Sequence, residues 1–478
     1  MSDIANLDAV GTAEAIADKS ITPREAVETA ISRIERTNAE LNAVIHTQFD
    51  SALEAVSEAK HRGGRFFGVP TLLKDLGVTE VGEPDLCGLA LLKSRDHRAS
   101  VESHEASLLK RAGFIILGRT NTPELGLMTS TEPLAFGPTR NPWAPEHSAG
   151  GSSGGAGAAV AARMVPVAGA SDGGGSIRVP ASANGLFGLK PSRGRVSLGP
   201  TYSEGWAGLS HHHMLTRSVR DSAALLDILA RPMPGDPYLT ALPPRPFAEL
   251  AREPLPSLKI AVLTDDPSGE TAVEAPVRAA VLGAVKQLED AGHRIVDLDL
   301  PLGEDLEALR AATIGIIAAN TAAGLAELER SLGITIGPED VEPGTAFYLE
   351  HGRAMSAADY LAAVAAHNAW RRKVETAWAD IDVLVCPTLP FVPPAIGVYR
   401  PEEDPGGLAK TAASVTFTIP FNVTGQPAVS LPLGQSPEGL PIGVQAVAAR
   451  NNEALLFQLG HFFETAMPWA ARKPQVCA

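Results

Sequence analysis

Between residues 258 and 300 the chain reads LKIAVL, then PVRAAVLGAVKQLEDAGH after a short gap, then RIVDLDL. The first run suits a buried strand, and the second a helix that starts at Pro276 and stops near Gly292. In the third, Val296, Leu298 and Leu300 alternate as a strand does. A strand, a helix and a strand at this spacing make a βαβ unit, whose two strands pair in parallel. That argues for an α/β fold. Further strands are expected at IDVLVCP (381–387), AVSLPL (428–433) and IGVQAV (442–447). Near the N-terminus, Thr22 and Glu25 form a capping box with Pro23 at the first helical position. Val27, Ala30, Ile31 and Ile34 then recur at helical spacing. The proline-rich patch at 234–250 reads as a surface excursion within one domain, because patterned sequence continues on both sides.

Composition removes several classes of function. The 478 residues are 45% hydrophobic and carry a net charge of -15, with Lys and Arg scattered, so no nucleic-acid surface is expected. Arg371, Arg372 and Lys373 read as a solvated helix face. The N-terminal segment has acids where an export signal needs bases, and no unbroken apolar run of membrane-spanning length is seen. The three cysteines, Cys87, Cys386 and Cys477, are far apart. They suit a reducing cytoplasm and give neither a disulfide framework nor a cysteine zinc site.

The stretch SAGGSSGGAG (148–157) allows three readings: a slack linker, a phosphate loop, or a scaffold for close approach to a substrate. A linker should separate polar blocks, yet this tract runs into AAVAARMVPVAGA, which suits a buried helix and strand. A phosphate loop of the Walker type ends in Gly-Lys-Ser/Thr, and the tract has no lysine. A dinucleotide loop should follow a strand, and no convincing one precedes it. A second element, SDGGGSIRVPAS (171–182), could aim the N–H groups of Gly173, Gly174 and Gly175 into one concavity with Ser176 at its end. An oxyanion hole beside a nucleophile would be built this way.

A serine nucleophile needs a base. The run His211, His212, His213 cannot serve one site together, since consecutive side chains point in different directions, and no HExxH or similar metal-ligand spacing is present. Lys74 in GVPTLLKDLGV lies in an apolar run, where burial lowers an amine pKa and a neutral amine accepts a proton. A structural or partly exposed lysine fits the same run better, because lysine stems so often snorkel.

Taken together, PTLLKD around Lys74, GGSSGG (150–155) and DGGGSIRVPA (172–181) resemble the amidase signature family. ILGRTNTPELG, GPTRNPW, GLFGLKPSRGRVS and PFNVTGQPAVSLPLG extend the likeness over roughly residues 5–470. The resemblance implies a single large α/β domain, residues 1–478, with a mixed central sheet covered by helices on both faces. Its core signature region would lie at about 65–200 and a more variable segment at about 230–380. It implies a Ser-cisSer-Lys triad: Ser176 as nucleophile, Ser152 as the bridging serine after a cis Gly151-Ser152 peptide, and Lys74 as base. The N–H groups of Gly173, Gly174, Gly175 and Ser176 would form the oxyanion hole. Asp172 and Arg178 would hold the loop, with Ser153 beside Lys74. Gly126, Met128 and Thr129 would face the substrate.

The implied activity is metal-free and cofactor-free hydrolysis of small neutral linear or cyclic amides, anilides or carbamates. The look is that of bacterial amidases that include hydrolases of 6-aminohexanoate cyclic dimers. A homodimer is an allowed assembly. The alternative is a glutamine-hydrolysing subunit of a tRNA amidotransferase. A non-catalytic module is disfavoured by the intact Lys74, Ser152 and Ser176.

Overall fold

The computed structural model describes residues 4–58, 63–297, 300–404 and 406–478. Its strands are β1 (Val44–Thr47), β2 (Pro70–Lys74), β3 (Ile115–Thr120), β4 (Arg140–Asn141), β5 (Ala144–Ser148), β6 (Val167–Asp172), β7 (Phe187–Lys190), β8 (His211–Thr216), β9 (Lys259–Val262), β10 (Arg294–Val296), β11 (Val383–Pro387), β12 (Ala428–Gln435) and β13 (Pro441–Ala448). Eleven of them form one sheet in the order β1-β3-β2-β6-β8-β7-β12-β13-β11-β9-β10, and β4 and β5 form a separate pair. The sheet is mixed: β2 runs parallel to β3 and β6, and β9 parallel to β10 and β11. The joins through β8, β7, β12 and β13 are antiparallel.

The expected βαβ unit is β9, the Ala275–Asp290 helix and β10, paired in parallel. β10 ends at Val296, short of the expected run; Leu298 lies outside the described residues. The Pro23–Leu41 helix carries the expected capping box. Residues 231–246 hold no helix or strand and join elements of one sheet, as expected of an excursion rather than a linker.

Side-chain alternation shows why both faces are covered. Leu73, Ile116, Val167, Val383 and Val385 enter one cluster, with Leu225 and Phe457 from helices on that side. On the other face, Leu72, Leu117 and Ala168 meet Ile34 and Val160, while Leu384 and Cys386 meet Ile316 and Trp370. Neighbouring residues on one strand thus go to opposite cores, as the two-residue strand period dictates.

The expectation of no spanning stretch meets one exception by length and composition. The Leu306–Leu332 helix has a window of mean hydropathy 1.4. In this molecule 44% of that window is buried, with Leu309, Ile316 and Leu325 in the core.

Candidate active site

β2 and β6 are parallel neighbours, so their C-terminal ends fall side by side. Ligands of open α/β sheets bind at such ends. β2 ends on Lys74 and β6 on Ser171 and Asp172. The Gly/Ser tract brings the third component. It leaves β5, turns through a cis Gly151-Ser152 peptide, and enters the buried helix Gly154–Ala161. A strand therefore does precede the tract, contrary to the sequence reading. β5 is polar and belongs to the small separate sheet, so it carries no apolar signature.

Lys74 has no exposed surface. Its Nζ donates to Ser152 Oγ at 2.7 Å and to Ser171 Oγ at 3.0 Å. Burial pushes the amine down to about 7, against an upward pull from Asp172. Ser153 does not bond Lys74 directly: its Oγ accepts from Ser171 N and donates to Ser171 O, both at 3.3 Å. Ser171, which the sequence reading left without a role, thus links Ser153 to the lysine.

Close packing explains the glycines of the turn. A Cβ on Gly151 would lie 2.4 Å from the Ser130 carbonyl oxygen, and one on Gly126 would lie 2.5 Å from Leu76 and 3.2 Å from Ser152 Oγ. Thr131 pins the turn by donating to the Gly150 carbonyl (2.9 Å) and accepting from Gly154 N (3.1 Å).

The loop 173–176 joins β6 to the Arg178–Asn184 helix and rests on a buried polar network. Arg178 donates through Nε and an Nη to both Asp172 carboxylate oxygens at 2.9 Å. Its other bonds reach the Thr418 carbonyl, Gln445 Oε1 and Asn422 Oδ1. Asn422 Nδ2 donates to Asp172 Oδ1 at 2.8 Å. Burial alone would raise the Asp172 carboxyl, but Arg178 and Asn422 hold it well below the usual range. Asn422, Gln445 and Thr418 were invisible as partners in the sequence, because more than 200 positions separate them from the loop. Among the described residues, the N–H groups of Gly173, Gly174, Gly175 and Ser176 donate to no other protein group.

Gly173, Gly174 and Ser176 line a cavity of about 370 Å³, together with Gly126, Met128 and Thr129. The fold therefore brings every expected substrate-facing residue to the cavity that holds the expected nucleophile. Thr129 Oγ1 also accepts from Ser414 Oγ at 2.8 Å, which fixes its rotamer. The rest of the wall is mainly apolar: Trp206, Leu306, Ile317, Phe347, Phe417 and Ile419 contribute. The histidine run stays apart from this chemistry. His211 bonds the Leu209 carbonyl, His212 pairs with Glu105, and His213 bonds Ser222. No cluster able to hold a metal ion is found among the described residues.

The sequence pattern of the amidase family matches residues 25–457. The 6-aminohexanoate-cyclic-dimer hydrolase of Paenarthrobacter ureafaciens is 39% identical, over 98% of this chain and 96% of its own. A solved structure of a 6-aminohexanoate cyclic dimer hydrolase complexed with substrate superposes with a TM-score of 0.94 at 37% identity and full coverage of both chains. A bacterial aryl acylamidase of the amidase signature enzymes superposes with a TM-score of 0.89 at 28% identity, covering 98% of this chain and 100% of its own. The chain belongs to the amidase signature family and is an amidase, a hydrolase of carbon–nitrogen bonds.

Proposed function

We propose that this amidase works through a Ser176–Ser152–Lys74 triad and an acyl-enzyme on Ser176. The observation that carries the reading is the 2.7 Å contact of Lys74 with Ser152 beside the cavity that Ser176 lines. Burial pushes the lysine down to about 7, so its neutral form, which accepts a proton, is within reach at neutral pH. Ser152 can donate to that amine while it accepts from Ser176, so it relays the proton as Ser176 Oγ attacks the amide carbonyl. The oxyanion is held by the N–H groups of residues 173–176. Collapse expels the amine, which takes the proton back through Ser152. Water then attacks the acyl ester with the same relay as base, releasing the acid and restoring Ser176.

The substrate we infer is a small neutral amide, linear or cyclic, or an anilide. The mainly apolar wall supports this, because a charged group brought into it loses hydration without gaining a partner. Its two charged residues are already engaged: Asp266 accepts from Ser268 and Thr271, and Arg310 pairs with Glu270. Glutamine, with two charged groups of its own, fits such a wall poorly. A fluorophosphonate tests the nucleophile. One adduct per chain is expected by mass spectrometry, on the peptide carrying Ser176, with parallel loss of anilide hydrolysis. An adduct elsewhere, or none, would overturn the assignment.

A further inference from the structure

A second cavity, of about 220 Å³, lies where the N- and C-terminal segments meet. Its wall includes Arg163, Arg217, Arg220 and Arg472, with Asp8 as its sole carboxylate. Asp8 is matched: Arg220 donates to its two oxygens at 2.6 and 2.7 Å. The other three guanidiniums make no ion pair among the described residues. Arg217 donates to the carbonyls of Leu7 and Val165, Arg472 to that of Pro432, and Arg163 to that of Ala470 and to Asn6. Asp221 behind them accepts from the amides of Ala9 and Val10, and burial pushes its carboxyl up to about 7.

What marks the place as fit for an anion is its wall: three guanidiniums share it, and its one carboxylate, Asp8, is taken by Arg220. The left-handed backbone of Arg163, at φ 63°, ends the Gly154–Ala161 helix, with Arg163 N bonded to the Val160 carbonyl and Met164 N to that of Ala159. Charge supplies the sign. The cavity wall includes Ala161 and Asn184, the last residues of two helices. Each helix C-terminus contributes about -0.5 of a charge. Asp8 and Ser218, the N-caps of two further helices, line the same wall and offset those two termini, so the three arginines leave it positive, as an anion such as phosphate requires.

We propose that this cavity binds one phosphate group, free or carried by a small phosphomonoester, through Arg163, Arg217 and Arg472. Arginine's planar fork suits phosphate oxygens. Trp143 and Trp469 also line the cavity, with their indole N–H groups engaged by the Asn184 and Arg217 carbonyls, so binding has an optical signal.

The test uses the full chain, titrated by calorimetry and tryptophan fluorescence with inorganic phosphate, glycerol 3-phosphate and chloride at matched ionic strength. Saturable one-to-one phosphate binding is expected, with altered tryptophan emission and no response to chloride. Arg472→Gln, on the partly exposed C-terminal segment, should weaken binding about tenfold or more and leave amide turnover unchanged; Arg472→Lys should recover part of the affinity. Binding of the phosphomonoester alone would assign the group to a metabolite and support the site. No saturable binding by either, or equal affinity in Arg472→Gln, would overturn the proposal and leave the arginines as caps for helix carbonyls.

Discussion

Lys74 is an amine with no exposed surface and only two hydroxyls for company. The gap between its ordinary 10.5 and about 7 in the fold corresponds to on the order of 5 kcal/mol. The sign follows from linkage. Between pH 7 and 10.5 the unfolded chain holds the proton more tightly than the folded one, so folded stability rises with pH across that window. Lys74→Met keeps the volume and removes the titration. Its stability relative to wild type should therefore fall steadily from pH 7 to pH 10.5, read from urea midpoints. A flat difference would mean that the amine is not held near 7. In the same pH series, wild-type kcat/KM should climb through pH 7 to a plateau, while the variant loses at least about 100-fold. Lys74 was legible through the likeness of PTLLKD, together with the two glycine-serine elements, to the family's motifs, since the apolar run alone suits a structural lysine better. Ser171 was not, since its contact with Lys74 depends on the register of β2 against β6, which no local pattern encodes.

At the scale of elements, the loop that carries Ser176 is only as fixed as β6 and the Arg178–Asn184 helix on either side of it. Asp172 and Arg178 clamp those two ends, and Asn422 ties the clamp to the Pro420–Thr424 helix far along the chain. Removing one partner of a buried hydrogen-bonded group leaves the other unsatisfied, at about 1–3 kcal/mol. Asn422→Ala should lower stability by that amount. If the loop's N–H groups hold the oxyanion, as proposed, it should also depress kcat more than KM, because it loosens donors aimed at the transition state rather than at bound substrate. Because a loss of folded protein lowers apparent kcat with KM unchanged, rates are taken per titrated active site; a rise in KM with kcat per active site preserved would overturn the prediction. The elements themselves were largely readable. The capping box at Thr22, the βαβ unit and the apolar β11 each announce themselves within one stretch of chain. β5 was missed because APEHS has neither alternation nor β-branched residues. What holds it is pairing with β4 and the bond from Ser148 N to the Pro394 carbonyl.

At the scale of the molecule, the candidate cavity is a seam between two contributions. The turn at 126–129 and the loop at 173–176 come from the half of the sheet that holds β2 and β6. The opposite wall comes from the Leu306–Leu332 helix and residues 408–421. The chemistry was legible from the first half because its residue types are unusual. The shape of the pocket was not, because alanine-rich and leucine-rich helices read alike whether they line a cavity or fill a core. Ile317 shows the difference. It is 8% exposed, sits mid-helix and faces the cavity. If that wall receives the acyl chain, enlarging it should discriminate by chain length. Ile317→Trp is expected to lower kcat/KM for a long-chain acyl anilide by about tenfold or more, and for acetanilide by no more than about twofold. Overpacking should cost about 1–3 kcal/mol, so thermal midpoints taken on the same samples separate shape from stability. A loss equal for both anilides, with the midpoint preserved, would place the acyl chain against a different wall.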